Sequence, residues 1–362
     1  MTTFIKGRTN LACTIFFPVK CGNNCSFCTS KQMYEHYIFE KRFLTKIVDN
    51  IKFMNNCDVV NEFVITGGEP LINLKVLKKI VKNMTKPVYI NTSLPRVDNI
   101  DDCIEFINTT PIIKGVNISR HIGNTYSVET CDKNKIDAIK KPKRINCLIK
   151  PEYTFDDDKL LNFINFYADS LTMINFRADY RLVTTDTLKN RDLIDEWLMK
   201  HFRYLYNSNC LVCNSEYFST ENNHVICYHR GLEHSKVVTD KYTYVNDILI
   251  NVYGNVYSDW DMCEDFTNNQ DFTSWLKSYY DDNTDDNEEE IFDNSIQESE
   301  TISDYNQCSL SVTNICGLGI SGTKYNSSCG VRSHSYGGGC GSYSYSYGGG
   351  CGSHSYGCGH GC

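Results

Sequence analysis

"KCGNNCSFCTSK", Lys20 to Lys31, places Cys21, Cys25 and Cys28 within eight positions and leaves out a fourth cysteine. The spacing is C-x3-C-x2-C, with Phe27 just before the last thiol. A structural zinc site wants four closed ligands, usually as two separated C-x2-C pairs. Ferredoxin runs bring a full set of cysteines to each cluster. Three thiolates on one loop suit instead a cubane [4Fe–4S] cluster with one iron lacking a protein ligand. That iron keeps a position where a substrate or cofactor can coordinate. A zinc loop borrowing a distant ligand is the competing reading of the thiols alone.

The surroundings place the loop in a fold. Apolar, β-branched runs at Leu11–Phe17, Phe63–Thr66, Val88–Asn91, Gly115–Ser119, Arg144–Ile149 and Thr172–Arg177 predict buried strands. Helical patterns lie between several of them, at Leu44–Met54, Leu74–Met84, Asp101–Ile107 and Asp156–Tyr167. Short buried strands alternating with amphipathic helices imply βα units and a parallel sheet. Six such units predict a partial (β/α)6 barrel, with chemistry at the C-terminal ends of the strands. The cysteine loop follows the first strand at that end.

Charge divides the rest of the chain. The sequence has 362 residues and a formal charge of −8. Asp281 to Asp304 holds eleven acidic residues and no Lys or Arg, and beyond it only Lys324 and Arg332 are charged. Residues 1–280 are therefore nearly neutral, so no broad nucleic-acid surface is expected. No apolar run is long enough to span a bilayer, and the N-terminus lacks a signal-peptide core. Nineteen cysteines in a leaderless chain point to metal, cluster or redox chemistry in the reducing cytosol rather than to disulfides.

A second motif lies at the end of the second strand: "VITGGEP", Val64–Pro70. Gly67 and Gly68 let main-chain groups approach a ligand closely, and Glu69 can accept hydrogen bonds from an ammonium group. Together, "CGNNCSFC" and "GGEP" resemble the radical S-adenosylmethionine (radical SAM) enzyme superfamily. The resemblance implies that Cys21, Cys25 and Cys28 hold the [4Fe–4S] cluster and that SAM chelates its open iron. One electron, from a donor such as flavodoxin or ferredoxin, would then release a 5′-deoxyadenosyl radical that abstracts hydrogen from substrate. Gly67, Gly68 and Glu69 would bind SAM, with Phe27 as an apolar wall. Ser93 in "YINTS", Ser119 in "VNISRH", Asn146 in "RINCLI" and Arg177 in "INFRADY" (with Asp179) follow at later strand ends. Arg120 and His121 stand where many relatives carry an acidic residue. Helix caps and surface ion pairs compete with each of these later assignments.

The chain divides into the radical SAM core (1–192), a small Cys/His-containing C-terminal subdomain (193–280), an acidic linker (281–304) and a disordered tail (305–362). In the subdomain, Cys210, Cys213, Cys227 and His229 have types and spacing for a second metal, zinc or an auxiliary Fe–S cluster, with His234 and Cys263 nearby. "DILINVYGNVYSDWD", Asp247–Asp261, predicts a hairpin turning at Gly254–Asn255. In the tail, "SHSYGGGCGS" (Ser333–Ser342) recurs as "SYSYGGGCGS" (Ser344–Ser353), too polar to bury a core. It reads as an inert appendage, a metal-binding or cross-linking tether, or a peptide substrate carried in cis. The expected substrate is a small or nucleotide-like molecule, with a peptide as the alternative. A non-enzymatic cysteine-rich protein on a barrel scaffold is the second alternative.

Overall fold

All six expected strands form. The computed structural model describes residues 4–257, apart from 24, 26–27, 29, 59, 123–128, 150–155, 179–184, 208–214, 230–235 and 239–241. Phe27, Asp179, Cys210, Cys213, His234, Cys263, the acidic linker and the repeats of the tail lie outside the described residues. In chain order the elements are β1 (Phe4–Phe16), α1 (Lys31–Glu35), α2 (Lys41–Asn55), β2 (Val60–Thr66), a 3-10 turn (Pro70–Ile72), α3 (Leu74–Val81), β3 (Val88–Thr92), α4 (Ile100–Thr109), β4 (Ile113–Ser119) and α5 (Lys133–Ala138). They continue with β5 (Lys143–Ile149), α6 (Asp157–Tyr167), β6 (Thr172–Ala178), α7 (Thr185–His201), β7 (Arg203–Asn207), β8 (Ser215–Ser219), β9 (Val225–His229), β10 (Lys236–Val238), β11 (Tyr242–Ile250) and β12 (Val256–Tyr257).

Strands β1 to β6 run parallel in sequence order, as βα units require. Each divides its residues between two faces. Ile15, Phe63, Ile65, Ile90, Ile118, Ile145 and Phe176 enter the main core, where Leu44, Ile47, Leu77, Ile104 and Leu160 of the helices meet them. The opposite face is the inner face of the partial barrel. It carries Tyr89, Asn117, Arg144 and Asn175, all buried. Helix starts are fixed by side chains: Asn73 Oδ1 accepts from Val76 N at α3, and Asp156 Oδ1 from Lys159 N at α6. At the far end of α2, the Lys86 ammonium donates to the carbonyls of Met54, Cys57 and Val60.

The boundary expected at residue 192 falls inside α7, and the sheet runs on past it. β9 pairs parallel with β6, and β11 pairs parallel with β1, so later strands extend the sheet on both sides of the first six. The rhythm does change there, from βα units to antiparallel pairs: β7 with β8, β8 with β9, β10 with β11. The expected hairpin is present as β11 and β12, with Gly254 at φ +80° in its turn. A Cβ at Gly254 would lie 2.9 Å from the side chain of Lys46, so the turn packs directly on α2. No described helix is long and apolar enough to cross a membrane.

Candidate cluster and cofactor site

The two motifs meet at one rim of the sheet. β1 ends at Phe16, and Phe17 N donates to Thr66 O at 2.7 Å, tying the start of the cysteine loop to the end of β2. Tyr34, buried in α1 just after the loop, donates its hydroxyl to Phe17 O at 2.7 Å. The loop is thus held at both ends.

Gly67 and Gly68 adopt φ +66° and +45°, the left-handed region that glycine enters without penalty. The close approach they permit is to the protein itself. A Cβ on Gly68 would strike the Val19 carbonyl oxygen, and one on Gly67 the Phe16 ring and the Tyr34 hydroxyl. Glycine here lets the Gly-Gly-Glu-Pro turn lie flat against the chain entering the cysteine loop. Gly68→Ala is expected to destabilise the protein by more than about 2 kcal/mol. A left-handed alanine already costs roughly 1–2 kcal/mol, and the clash with Val19 adds to it. Thermal unfolding and iron loading check this; a native Tm with full loading would show that the turn is not held against Val19.

Glu69 is 2% exposed, yet its carboxylate is fully engaged. Oε1 accepts from Leu71 N at 3.1 Å and from the Thr92 hydroxyl at 2.5 Å. Oε2 accepts from Ser93 N at 2.8 Å and from the Ser93 hydroxyl at 2.7 Å. A carboxylate offers about four lone-pair directions, and all four are used. Burial raises the carboxyl above its ordinary range, against the pull of these donors. A buried carboxylate in this state gains from a cation placed beside it.

Cys21, Cys25 and Cys28 lie as thiols on the adjoining loop, the first two half-buried and the third exposed. Asn23 N donates to Cys21 Sγ at 3.3 Å, and Asn23 Nδ2 to the Ser93 hydroxyl at 3.5 Å. Burial pushes the Cys21 thiol up to about 11; the Asn23 N–H opposes this, and negative charge on Glu69, Cys25 and Cys28 adds to the rise. The loop thus concentrates groups that repel one another when ionised. A bound cation reverses that logic and deprotonates its thiols. Among the described residues, no three His, Cys, Asp or Glu side chains close into a metal-holding group. The three thiols share a loop without converging. Their number, exposure and mutual charge fit a cluster that itself draws them together.

Of the other expected residues, Ser93 belongs to the Glu69 network. Ser119 ends β4, and its carbonyl accepts from Arg120. Asn146 Oδ1 accepts from Asn175 Nδ2 at 2.7 Å on the inner face. Arg177 pairs in register with His229 and Leu148. Arg120 is structural: its buried guanidinium donates to the carbonyls of Ser93, Ser119 and Cys131, joining the ends of β3 and β4. His121 Nδ1 accepts from Leu148 N, so this histidine ties β4 to β5. Cys227 packs with Met173 and Tyr217, and His229 lies two residues along β9. Thr92 and Asn23 escaped the sequence reading. Both are polar residues beside expected site residues; the Asn23 contact with Cys21 is local, but only the fold brings Thr92 to Glu69 and Asn23 to Ser93.

A family model described as "4Fe-4S single cluster domain" matches residues 7–94. No curated protein matches the chain. Among solved structures, the chain is similar to polyhistidine-tagged anSMEcpe with bound AdoMet, at 15% identity over 75% of this chain and 80% of that one, TM-score 0.46. It is similar to Streptococcus suis SuiB bound to precursor peptide SuiA, at 13% identity over 76% and 65% of the two chains, TM-score 0.48. BtrN in complex with AdoMet and 2-DOIA matches at 12% identity over 76% and 87%, TM-score 0.33. The three-cysteine loop and the Gly-Gly-Glu-Pro turn both fall inside the segment that matches the 4Fe-4S single cluster domain model.

Proposed function

We propose that the chain is a radical SAM enzyme that cleaves S-adenosylmethionine at a [4Fe–4S] cluster held by Cys21, Cys25 and Cys28, and abstracts hydrogen from a small or nucleotide-like substrate. The observation that carries this is the meeting of the two motifs: Glu69 N lies against Val19 O, and the Glu69 network reaches Asn23 through Ser93. When bound, the cluster and SAM supply one-electron chemistry that the side chains lack. The chain's own residues hold and orient. Cys21, Cys25 and Cys28 would hold the cluster through their thiolates. Glu69 takes the ammonium of SAM, displacing a hydroxyl donor. Ser93 is the donor suited to yield, since its hydroxyl oxygen still accepts from Asn23 Nδ2 when the O–H turns away from Glu69. Arg120 keeps the Ser93 backbone in place meanwhile.

Anaerobic reconstitution with iron and sulfide, then reduction in the presence of SAM, tests the reading directly. Formation of 5′-deoxyadenosine with dithionite, flavodoxin or ferredoxin as reductant supports it. A fully loaded, reduced protein that leaves SAM intact refutes it. A second metal at Cys210, Cys213, Cys227 and His229 is a separate proposal, supported by ligand type and spacing. It predicts zinc or excess iron in the full chain that Cys227→Ala lowers. Unchanged metal content in that variant makes Cys227 a packing residue.

A further inference from the structure

We infer that Arg144 and Asn117 form a buried binding site for a carboxylate, one that carries an N–H or O–H donor close by, on the inner face of the sheet. That this carboxylate belongs to the substrate rests on the radical SAM reading above. The two residues are register partners on β5 and β4, and so share a face. Arg144 is 7% exposed and Asn117 8%. Arg144 Nε and Nη2, and Asn117 Oδ1, are buried without a hydrogen-bond partner. Buried polar groups are ordinarily satisfied, and an unmet buried charge is costly. Arg120 shows the ordinary solution on the same sheet, with three backbone carbonyls around an equally buried guanidinium.

The unmet atoms have a pattern. Nε and Nη2 lie on one edge of the guanidinium, the two-pronged fork that matches a carboxylate. Met173 is the register partner of Arg144 on the other side, so neither neighbouring strand supplies an acid there. Asn117 ends a polar row across three strands. Asn91 Nδ2 donates to the Thr66 hydroxyl at 3.1 Å, and Asn117 Nδ2 donates to Asn91 Oδ1 at 2.6 Å. Both donations run the same way, and they leave Asn117 Oδ1 asking for a donor. The row starts at Thr66, next to Gly67 at the cofactor rim. It ends beside Arg144, five residues before the end of β5, or about 16 Å of strand. A small molecule anchored there by its carboxylate would extend along this row toward the rim.

The test uses the full-length chain without cluster or SAM, and N-acetylglycine as probe, with its methyl ester as control. N-acetylglycine should raise Tm saturably, as any ligand of the native state does, and the ester should not. Arg144→Lys, a point charge in place of a fork, should weaken the response about tenfold. Arg144→Met should abolish it and raise the Tm of the unliganded protein, because an unmet buried charge is removed. An equal response to the ester, no saturable response, or a response surviving Arg144→Met would overturn the site. A lowered Tm in Arg144→Met would make the guanidinium structural and overturn it equally. In a separate arm, SAM is titrated into the reconstituted protein. If Arg144→Met abolishes SAM binding and SAM displaces N-acetylglycine, the fork holds the cofactor and the substrate assignment fails. Absence of deoxyadenosine would refute the radical chemistry alone, since the Tm response needs neither cluster nor SAM.

Discussion

Replacing Cys21, Cys25 and Cys28 together with alanine is expected to reduce deoxyadenosine formation to background while the protein stays folded. The thiols are half-buried or exposed and contribute no side chain to the main core. What holds the loop is Tyr34 on Phe17 O and the Gly68 contact with Val19, both untouched by the substitution. Far-UV circular dichroism and Tm should therefore change little. Iron should fall from about four per chain, the content of one cubane, to near zero. In the wild type, the reduced cluster's EPR signal should change when SAM is added, because one iron is open to it. A triple variant that keeps the signal and still cleaves SAM would remove the basis of the cluster assignment. Metal left in the variant would then have to be held elsewhere, and Cys227→Ala reports on that site.

The sequence shows the parallel sheet plainly because its strands are buried on both faces. Such strands read as apolar runs, and Ile145 with Ile118 or Phe63 with Ile65 stand out without any knowledge of their neighbours. Short helices do not stand out. α1 has five residues and α5 has six with only Ile136 buried, too few for a period to emerge. β8, "SEYFS", is polar in three of its five residues and yet buried throughout, so its composition hides its position. The same division runs through the site. Cysteine spacing and the Gly-Gly-Glu-Pro order are local and legible. Three of the four Glu69 donors come from Thr92 and Ser93 at the end of the next strand, and Asn117 meets Arg144 only through the β4–β5 register. Register is a property of two strands together, written in neither alone. The glycines illustrate a further limit. Their conformational freedom is legible, but whether a ligand or the chain's own Val19 fills the space beside them is not.

Glu69→Gln is expected to weaken SAM binding by about one to two decades while iron loading persists. The amide keeps the shape of the carboxylate but has one acceptor oxygen in place of two. Leu71 N and Thr92 can still be served by that oxygen, whereas Ser93 N and its hydroxyl would face an NH2 group. A hydrogen bond to a charged group contributes roughly 1.5–3 kcal/mol, and each 1.4 kcal/mol is tenfold in affinity. Losing the contact between ammonium and carboxylate accounts for the expected change. The stability of the unliganded protein supplies an independent readout. Burial raises the Glu69 carboxyl in the folded state above its ordinary 4.5, despite the opposing donors from Thr92, Ser93 and Leu71. A raised folded value means that the native state holds the proton more tightly than the unfolded chain does. The contribution of this group is then fully present below 4.5 and is lost as pH rises through the folded value. The wild type should therefore lose stability across that window, and Glu69→Gln should flatten the loss. A cation beside the carboxylate reverses the balance, so SAM should bind the wild type more weakly as pH falls into the same window. Isothermal titration with SAM at several pH values, alongside unfolding curves for both proteins, measures both effects. If Glu69→Gln binds SAM as the wild type does, with the same pH dependence, the carboxylate braces Ser93 and Thr92 and does not contact the cofactor.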